Sequence, residues 1–141
     1  MRITSLFLAI AALATAVPAG AQPSITGRWL TEDRRAVIRI APCGGAICGY
    51  IQQVLREMPD ANQRDENNPD PALRNRRIVG LPVLTDFRLD GNRWRHGEIY
   101  DPEDGRNYNA RMELNANGTL SVTGCVLGGI ICQSEVWTRR R

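Results

Sequence analysis

The sequence contains no lysine, and histidine occurs once, at His96. A single histidine builds neither a histidine-ligated metal cluster nor a hydrolase triad by itself, and beside Trp94 on an exposed-looking strand it reads as a surface or rim residue. Ser24, Ser121 and Ser134 have no glycines placed around them as a nucleophile elbow requires. All eighteen basic residues are arginine, against fifteen acids, which a GC-rich coding sequence explains without any functional demand. Once Arg2 is lost with the leader the charge is close to balanced, so neither nucleic acid nor an anionic membrane is called for, and Arg139 to Arg141 read as a solvated tail. No segment keeps a helical period for a useful length, which excludes a helical bundle. After residue 21 no apolar run approaches the ~20 residues of a membrane-spanning helix.

What is present begins with the leader. Met1 to Ala21 carries one positive charge, an apolar stretch from Ile3 to Val17, and Ala19-Gly20-Ala21 before Gln22, the pattern of a secretory signal peptide cleaved after Ala21. The expectation is one exported domain over 22–141, periplasmic or secreted, with no cysteine at the cleavage point to carry a lipid.

The four cysteines fall into two local pairs, Cys43 with Cys48 and Cys125 with Cys132. Two-residue turns at Gly45-Ala46 and Gly128-Gly129 would set each pair opposite across a hairpin, within disulfide reach. Loops this short are worth roughly 2 to 2.5 kcal/mol each in a chain-entropy account. A Cys43 to Cys132 bond would give roughly 4.5, but only if the fold brought those ends together. A zinc site is the competing use, although the spacings are too long for C-x-x-C and export favours oxidation.

Along the chain, apolar and polar residues alternate in short runs separated by turn residues. Strands are expected over Ile25 to Thr31, Ala36 to Ile40, Ile47 to Leu55, Arg77 to Phe87, Trp94 to Tyr100, Asn107 to Leu114, Thr119 to Leu127 and Ile130 to Arg139. In the third, Ile47, Gly49, Ile51, Gln53 and Leu55 share a face. In the sixth, Tyr108, Ala110, Met112 and Leu114 face a core while Asn107, Asn109, Arg111 and Glu113 face water. Eight hairpin-linked strands predict an all-β, up-and-down antiparallel barrel, closed so that no edge is exposed, with one long loop between strands three and four. An outer-membrane barrel shares the strand count, but the polar face of strand six and the terminal Arg141 speak against it.

The long loop holds Asp65, Asn67, Asn68 and Asp70 beside Arg74, Arg76 and Arg77. Clustered oxygen ligands suit calcium, yet Pro69 occupies a ligand position and no distal glutamate follows at the usual interval, so no metal is assigned. The simpler expectation is a network in which the acids pair with the arginines and fix the loop's shape, with one helical turn capped by Asn68 and started by Pro69. Asp101 and Asp104 flank a Pro-Glu turn between Tyr100 and Tyr108; paired carboxylates serve hydrolases, but turn chemistry alone accounts for them. No catalytic residue and no cofactor are assigned.

Gly27-x-Trp29 in the first strand, with Arg139 in the last, resembles the barrel-closing pattern of lipocalins, in which an indole plugs one end and an arginine packs across it. More specific are Cys43 to Gly49 (C-G-G-A-I-C-G), Asp65 to Leu81 (D-x-x-N-P-D-P-x-L-R-x-R-x-x-x-G-L), Trp94 to Gly105 (W-x-x-G-x-I-Y-D-P-E-D-G) with Tyr108, and Gly124 to Arg139 (G-C-x-L-G-G-x-x-C-x-x-x-x-W-T-R). These resemble, over nearly the whole mature chain, the exported bacterial family known as domain of unknown function 2147. The resemblance implies a small lipocalin-like (calycin-like) barrel in the periplasm or secreted, and brings no activity or catalytic residue.

Three functions follow as expectations. The first is a non-enzymatic barrel holding a small apolar or amphipathic ligand at its mouth, lined by Ile38, Ile40, Ile51, Leu55, Tyr108, Met112, Leu120 and Val122. The second is an interaction module that meets an envelope protein or glycan through Asp65, Asn68, Asp70, Arg74 and Arg76. The third is a hydrolase using Asp101, Asp104 or Asp65.

Overall fold

A computed structural model describes residues 24–55 and 63–141, so the leader expected over 1–21 lies outside the described residues. Its strands are β1 (Gly27–Leu30), β2 (Ala36–Cys43), β3 (Ala46–Val54), β4 (Pro82–Asp90), β5 (Arg93–Asp101), β6 (Arg106–Leu114), β7 (Leu120–Val126) and β8 (Ile131–Arg140). Each pairs antiparallel with its neighbours in sequence, and β8 returns to β1 to close the barrel. The architecture is the one the alternation implies: a sheet closed on itself buries one face of every strand and leaves no edge unpaired.

Three turns and ends differ from expectation. The β2–β3 turn is Gly44-Gly45, with φ of 53° and 81°, because a tight hairpin needs two left-handed residues and glycine accepts them without strain. Cys43 therefore pairs with Ala46 and Cys48 with Ala41, and the Cys43–Cys48 bond runs diagonally across a Cα separation of 5.8 Å. The second pair keeps its register, with Cys125 directly opposite Cys132 at 4.1 Å, although a four-residue connection, Leu127 to Ile130, replaces the two-residue turn. β4 begins at Pro82 rather than Arg77, which places the proline at a strand end where its missing N–H breaks no ladder.

Bulges bend the strands into a closed ring. In β3 the pairing passes from Ile38–Ile51 to Val37–Gln53, so Gln52 is the extra residue. Beyond it the alternation inverts: Val54 packs against the core, while Gln53 is exposed and Leu55 only half-buried. The shared inward face expected for Gln53 and Leu55 ends there. A second irregularity lies where β4 and β5 interrupt their pairing: Asp86 and His96 are both left-handed (φ 61° and 62°) between the flanking pairs Thr85–Glu98 and Arg88–Arg95. It brings the Phe87 ring against Gly97, where a Cβ would collide with the ring.

The two ends of the barrel are built differently. Toward the β2–β3, β4–β5 and β6–β7 turns the interior is filled by Trp29, Ile40, Phe87, Met112 and Leu120, all almost wholly buried. Trp29 lies beneath Arg139, whose guanidinium carbon is 4.3 Å from the ring centroid. The indole N–H donates to the Ile25 carbonyl at 2.8 Å, and Arg139 donates to the carbonyls of Thr26 and Ser24, each at 3.0 Å. Glycine suits position 27, whose φ of 138° side chains rarely adopt, and a Cβ there would stand 2.8 Å from the Arg139 guanidinium and push it from its place.

Candidate functional site

The β1–β2, β3–β4, β5–β6 and β7–β8 connections meet at the opposite end, and there the interior is hollow. A cavity of about 350 Å³ enters the barrel between them. That volume lies within the ~300–1,000 Å³ of small-molecule sites, toward the lower end. Its inner wall is apolar, built from Ile38, Ile51, Val54, Leu84, Val122 and Trp137 with other aliphatic residues. Much of this lining is β-branched or small, with Ile38, Ile51, Val54, Val122 and Gly124, whereas Trp29, Phe87 and Met112 fill the other end.

The rim is charged. Asp33, Asp101, Glu103 and Glu135 border the cavity, against the single guanidinium of Arg35. Arg35 is already engaged, ion-paired with Glu103 and 3.9 Å from Asp33. Glu135 accepts the Trp137 indole N–H at 2.8 Å, and Asp101 accepts the Glu103 backbone N–H at 2.8 Å. Among the described residues neither Asp101 nor Glu135 has an ion-pair partner. Burial pushes the Asp101 carboxyl above its usual range; the neighbouring Asp104 and Asp33 add to the rise, while the Glu103 N–H and Arg35 oppose it.

The long β3–β4 connection forms one wall of this end. Residues 63–65 pair with 76–78, through an Arg64–Arg77 bridge and the bonds Asp65 N–H to Arg76 O (2.9 Å) and Ile78 N–H to Gln63 O (3.0 Å). Between them Asp70, rather than Asn68, caps a short 3-10 turn over Pro71–Leu73, accepting from the Ala72 N–H at 2.9 Å. Asn68 instead accepts the Asp70 N–H, so the loop turns once before it coils.

Asp65 is fully buried, and its carboxylate gathers the network. Tyr100 donates to Oδ1 at 2.5 Å, while Asn68 (2.8 Å) and Arg76 (2.7 Å) donate to Oδ2. Burial by itself pushes the Asp65 carboxyl up, but the hydrogen bonds from Tyr100, Arg76 and Asn68 and the Arg76 charge outweigh it and leave the carboxyl below its usual range. Burial and the same contact push the Tyr100 phenol up to about 12. Asn67 completes the clasp by donating to the Pro102 and Glu103 carbonyls at 3.3 and 2.9 Å. The approach needs Gly105, whose φ is 70° and where a Cβ would overlap the Asn67 carbonyl.

The residues singled out from the sequence now divide. Of the eight expected at the mouth, Ile38, Ile51, Tyr108 and Val122 line the cavity. Ile40, Met112 and Leu120 point inward too but fill the solid end, and Leu55 lies past the β3 bulge, outside the cavity wall. Alternation assigns a face, not a depth. Among the loop residues Asp65 and Asn68 are turned inward rather than presented for recognition, because carboxylate and amide satisfy one another's partners. Asp70 is occupied as a cap, and Arg74 donates to the Asn68 carbonyl at 2.8 Å. Of the carboxylates weighed for hydrolysis only Asp101 borders the cavity; Asp104 takes the Tyr108 hydroxyl on the exposed turn, and Asp65 is enclosed by its own loop. His96 is exposed on β5, 4.0 Å from Asp90.

Sequence reading missed Val54, Leu84, Ile99, Glu135 and Trp137 as cavity residues. Alternation from Tyr108 and Val122 across the ladder pairs Ile99–Tyr108 and Val122–Glu135 was the signal that leads to two of them. Beside the mouth the β7–β8 tip exposes Leu127, Ile130 and Ile131 at 69%, 82% and 57%. No helix among the described residues is long and apolar enough to cross a membrane.

A known protein shares this architecture. The chain is similar to the solved structure of protein HP1028 from the human pathogen Helicobacter pylori, which belongs to the lipocalin family: the TM-score is 0.74, the identity 23%, and the match covers 84% of each chain. At that identity the likeness establishes a lipocalin-like fold. No curated protein matches the chain by sequence. A family model matches residues 27–139, a span from the barrel-closing glycine to the arginine that stacks on Trp29. The chain therefore belongs to DUF2147, the uncharacterized proteins conserved in bacteria.

Proposed function

We propose that this protein is an exported, non-enzymatic carrier that holds one small apolar or amphipathic molecule in the mouth of its barrel. The observation that carries the reading is the 350 Å³ hollow at the end opposite the Trp29 plug, apolar within and bordered by charge. A barrel stable only as a solid core has no need to leave that end unfilled, since lost packing contacts weaken it. The lipocalin-like fold supports the same reading, and both disulfides suit an oxidising compartment outside the cytosol.

Native mass spectrometry of protein purified from its own cells tests the proposal. A copurified small molecule, displaced in a Val122→Trp variant that fills the cavity, is the expected result. If the native protein carries nothing and the neutral probe N-phenyl-1-naphthylamine gains no fluorescence with it, the carrier reading fails.

A further inference from the structure

The cavity's charge is one-sided, and we infer that its ligand is a cationic amphiphile: a single apolar chain carrying an ammonium or similar cation, with the tail among Ile38, Ile51 and Val122 and the head between Asp101 and Glu135. This rests on the carrier reading and adds the ligand's charge to it.

Four carboxylates border the opening and one guanidinium answers them. That guanidinium is held by Glu103 and faces Asp33, which leaves Asp101 and Glu135 as the uncompensated pair among the described residues. Both are anchored by donors that fix them without neutralising them, the Glu103 N–H for Asp101 and the Trp137 indole N–H for Glu135. Asp101 is half-buried beside the apolar cavity and gains more from a cation than a carboxylate in open water, while Glu135 stands exposed at the rim and adds its charge from there. Burial lifts the Asp101 carboxyl above its usual range even though the Arg35 charge opposes the rise, so the negative charge there is only partly answered.

Aromatic faces add to the preference. Trp137 and Tyr108 both line the cavity, and π-faces attract alkylammonium heads. An anionic amphiphile such as a fatty carboxylate would meet the same four acids with only a committed arginine to receive it. The volume sets the second limit. A cavity near the lower end of the usual range accommodates one chain and excludes a two-tailed lipid.

The test uses the full-length protein and two competitors of equal tail, decylammonium and decanoate, each displacing N-phenyl-1-naphthylamine at neutral pH. Decylammonium is expected to displace the probe at about tenfold lower concentration, the scale of one uncompensated surface charge. Added salt narrows the ratio, as does acidification through the Asp101 range. In the isosteric variants Asp101→Asn and Glu135→Gln, which keep the oxygens that accept the Glu103 and Trp137 N–H groups, the ratio is expected to collapse. Because each ratio is taken within one variant, a general loss of binding cancels. Probe binding with competitors equal to within about twofold, or with decanoate ahead, overturns the cationic assignment and leaves the carrier intact. Failure of the probe to bind overturns the carrier reading and this one with it.

Discussion

The two ends of this barrel are made from the same eight strands and the same alternation, yet they are held by different physics. At the solid end Trp29, Phe87, Met112 and Leu120 fill the interior, and one guanidinium lies across the indole. At the hollow end apolar filling gives way to space, and shape is kept by a polar clasp: Asp65 with Tyr100, Asn68 and Arg76, and Asn67 against the β5–β6 turn. Apolar packing is short-ranged and tolerates no void, so an end that must stay open has to be braced from outside the cavity. Hydrogen bonds aimed at one buried carboxylate supply that brace because each has a fixed direction and length.

The contrast is open to test, and the largest effect lies at the solid end. Trp29→Ala empties the plug and strands Arg139 over a void, with an expected cost of about 3 to 5 kcal/mol in urea unfolding. A change below about 1 kcal/mol would show that the indole does not carry that end.

At the hollow end, Asp65→Ala leaves Tyr100, Asn68 and Arg76 without their acceptor. Its expected cost is about 2 to 3 kcal/mol, below the full penalty for breaking a buried pair because Arg76 is one-third exposed. The pH dependence is distinct. The Asp65 carboxyl sits below its ordinary value of 3.8 in the folded state, so its stabilisation is complete above that pH and is lost as pH falls through the lower, folded value. Tyr100, raised from 10.0 to about 12, stabilises fully below pH 10 and loses its contribution as pH climbs to about 12. Unfolding curves of Asp65→Ala should lack the acid slope and show a shallower alkaline one, since burial alone still raises the Tyr100 phenol, while Trp29→Ala keeps both. An alkaline slope wholly unchanged without Asp65 would detach Tyr100 from the clasp.

The smallest effect separates local strain from either brace. His96 holds a left-handed backbone at an exposed position, so His96→Gly is expected to stabilise by up to about 1 kcal/mol or to be neutral. A clear destabilisation would mean that the imidazole is part of the fold's support.

Much of this arrangement was legible in the chain. Tyr108, Ala110, Met112 and Leu114 alternate with polar residues, and the strand faces the way they indicate. The hairpin intervals of the cysteines named both disulfides. Gly27, Trp29 and Arg139 marked the closed end, because a bulky plug, a cation and a residue without a side chain are distinctive together. The site was less legible. Leu55 was misplaced by a single bulged residue, Gln52, and Ile40, Met112 and Leu120 share the inward face of true cavity residues while lying at another depth. Asp65 carries the composition of a ligand cluster, and only its burial against Tyr100, 35 residues away, shows that its oxygens are taken.

The sequence by itself determined the periodic quantities: the number of strands, the face of most side chains, the hairpin order and the cysteine partners. Each depends on neighbours a few residues apart, where the two-residue repeat of a strand and the φ demands of turns act directly. Only the tertiary structure decided where the barrel is solid and where it is hollow, and which carboxylates are spent on a clasp or left facing a cavity. Those follow from strand stagger, bulges and contacts between distant segments, and no local period encodes them.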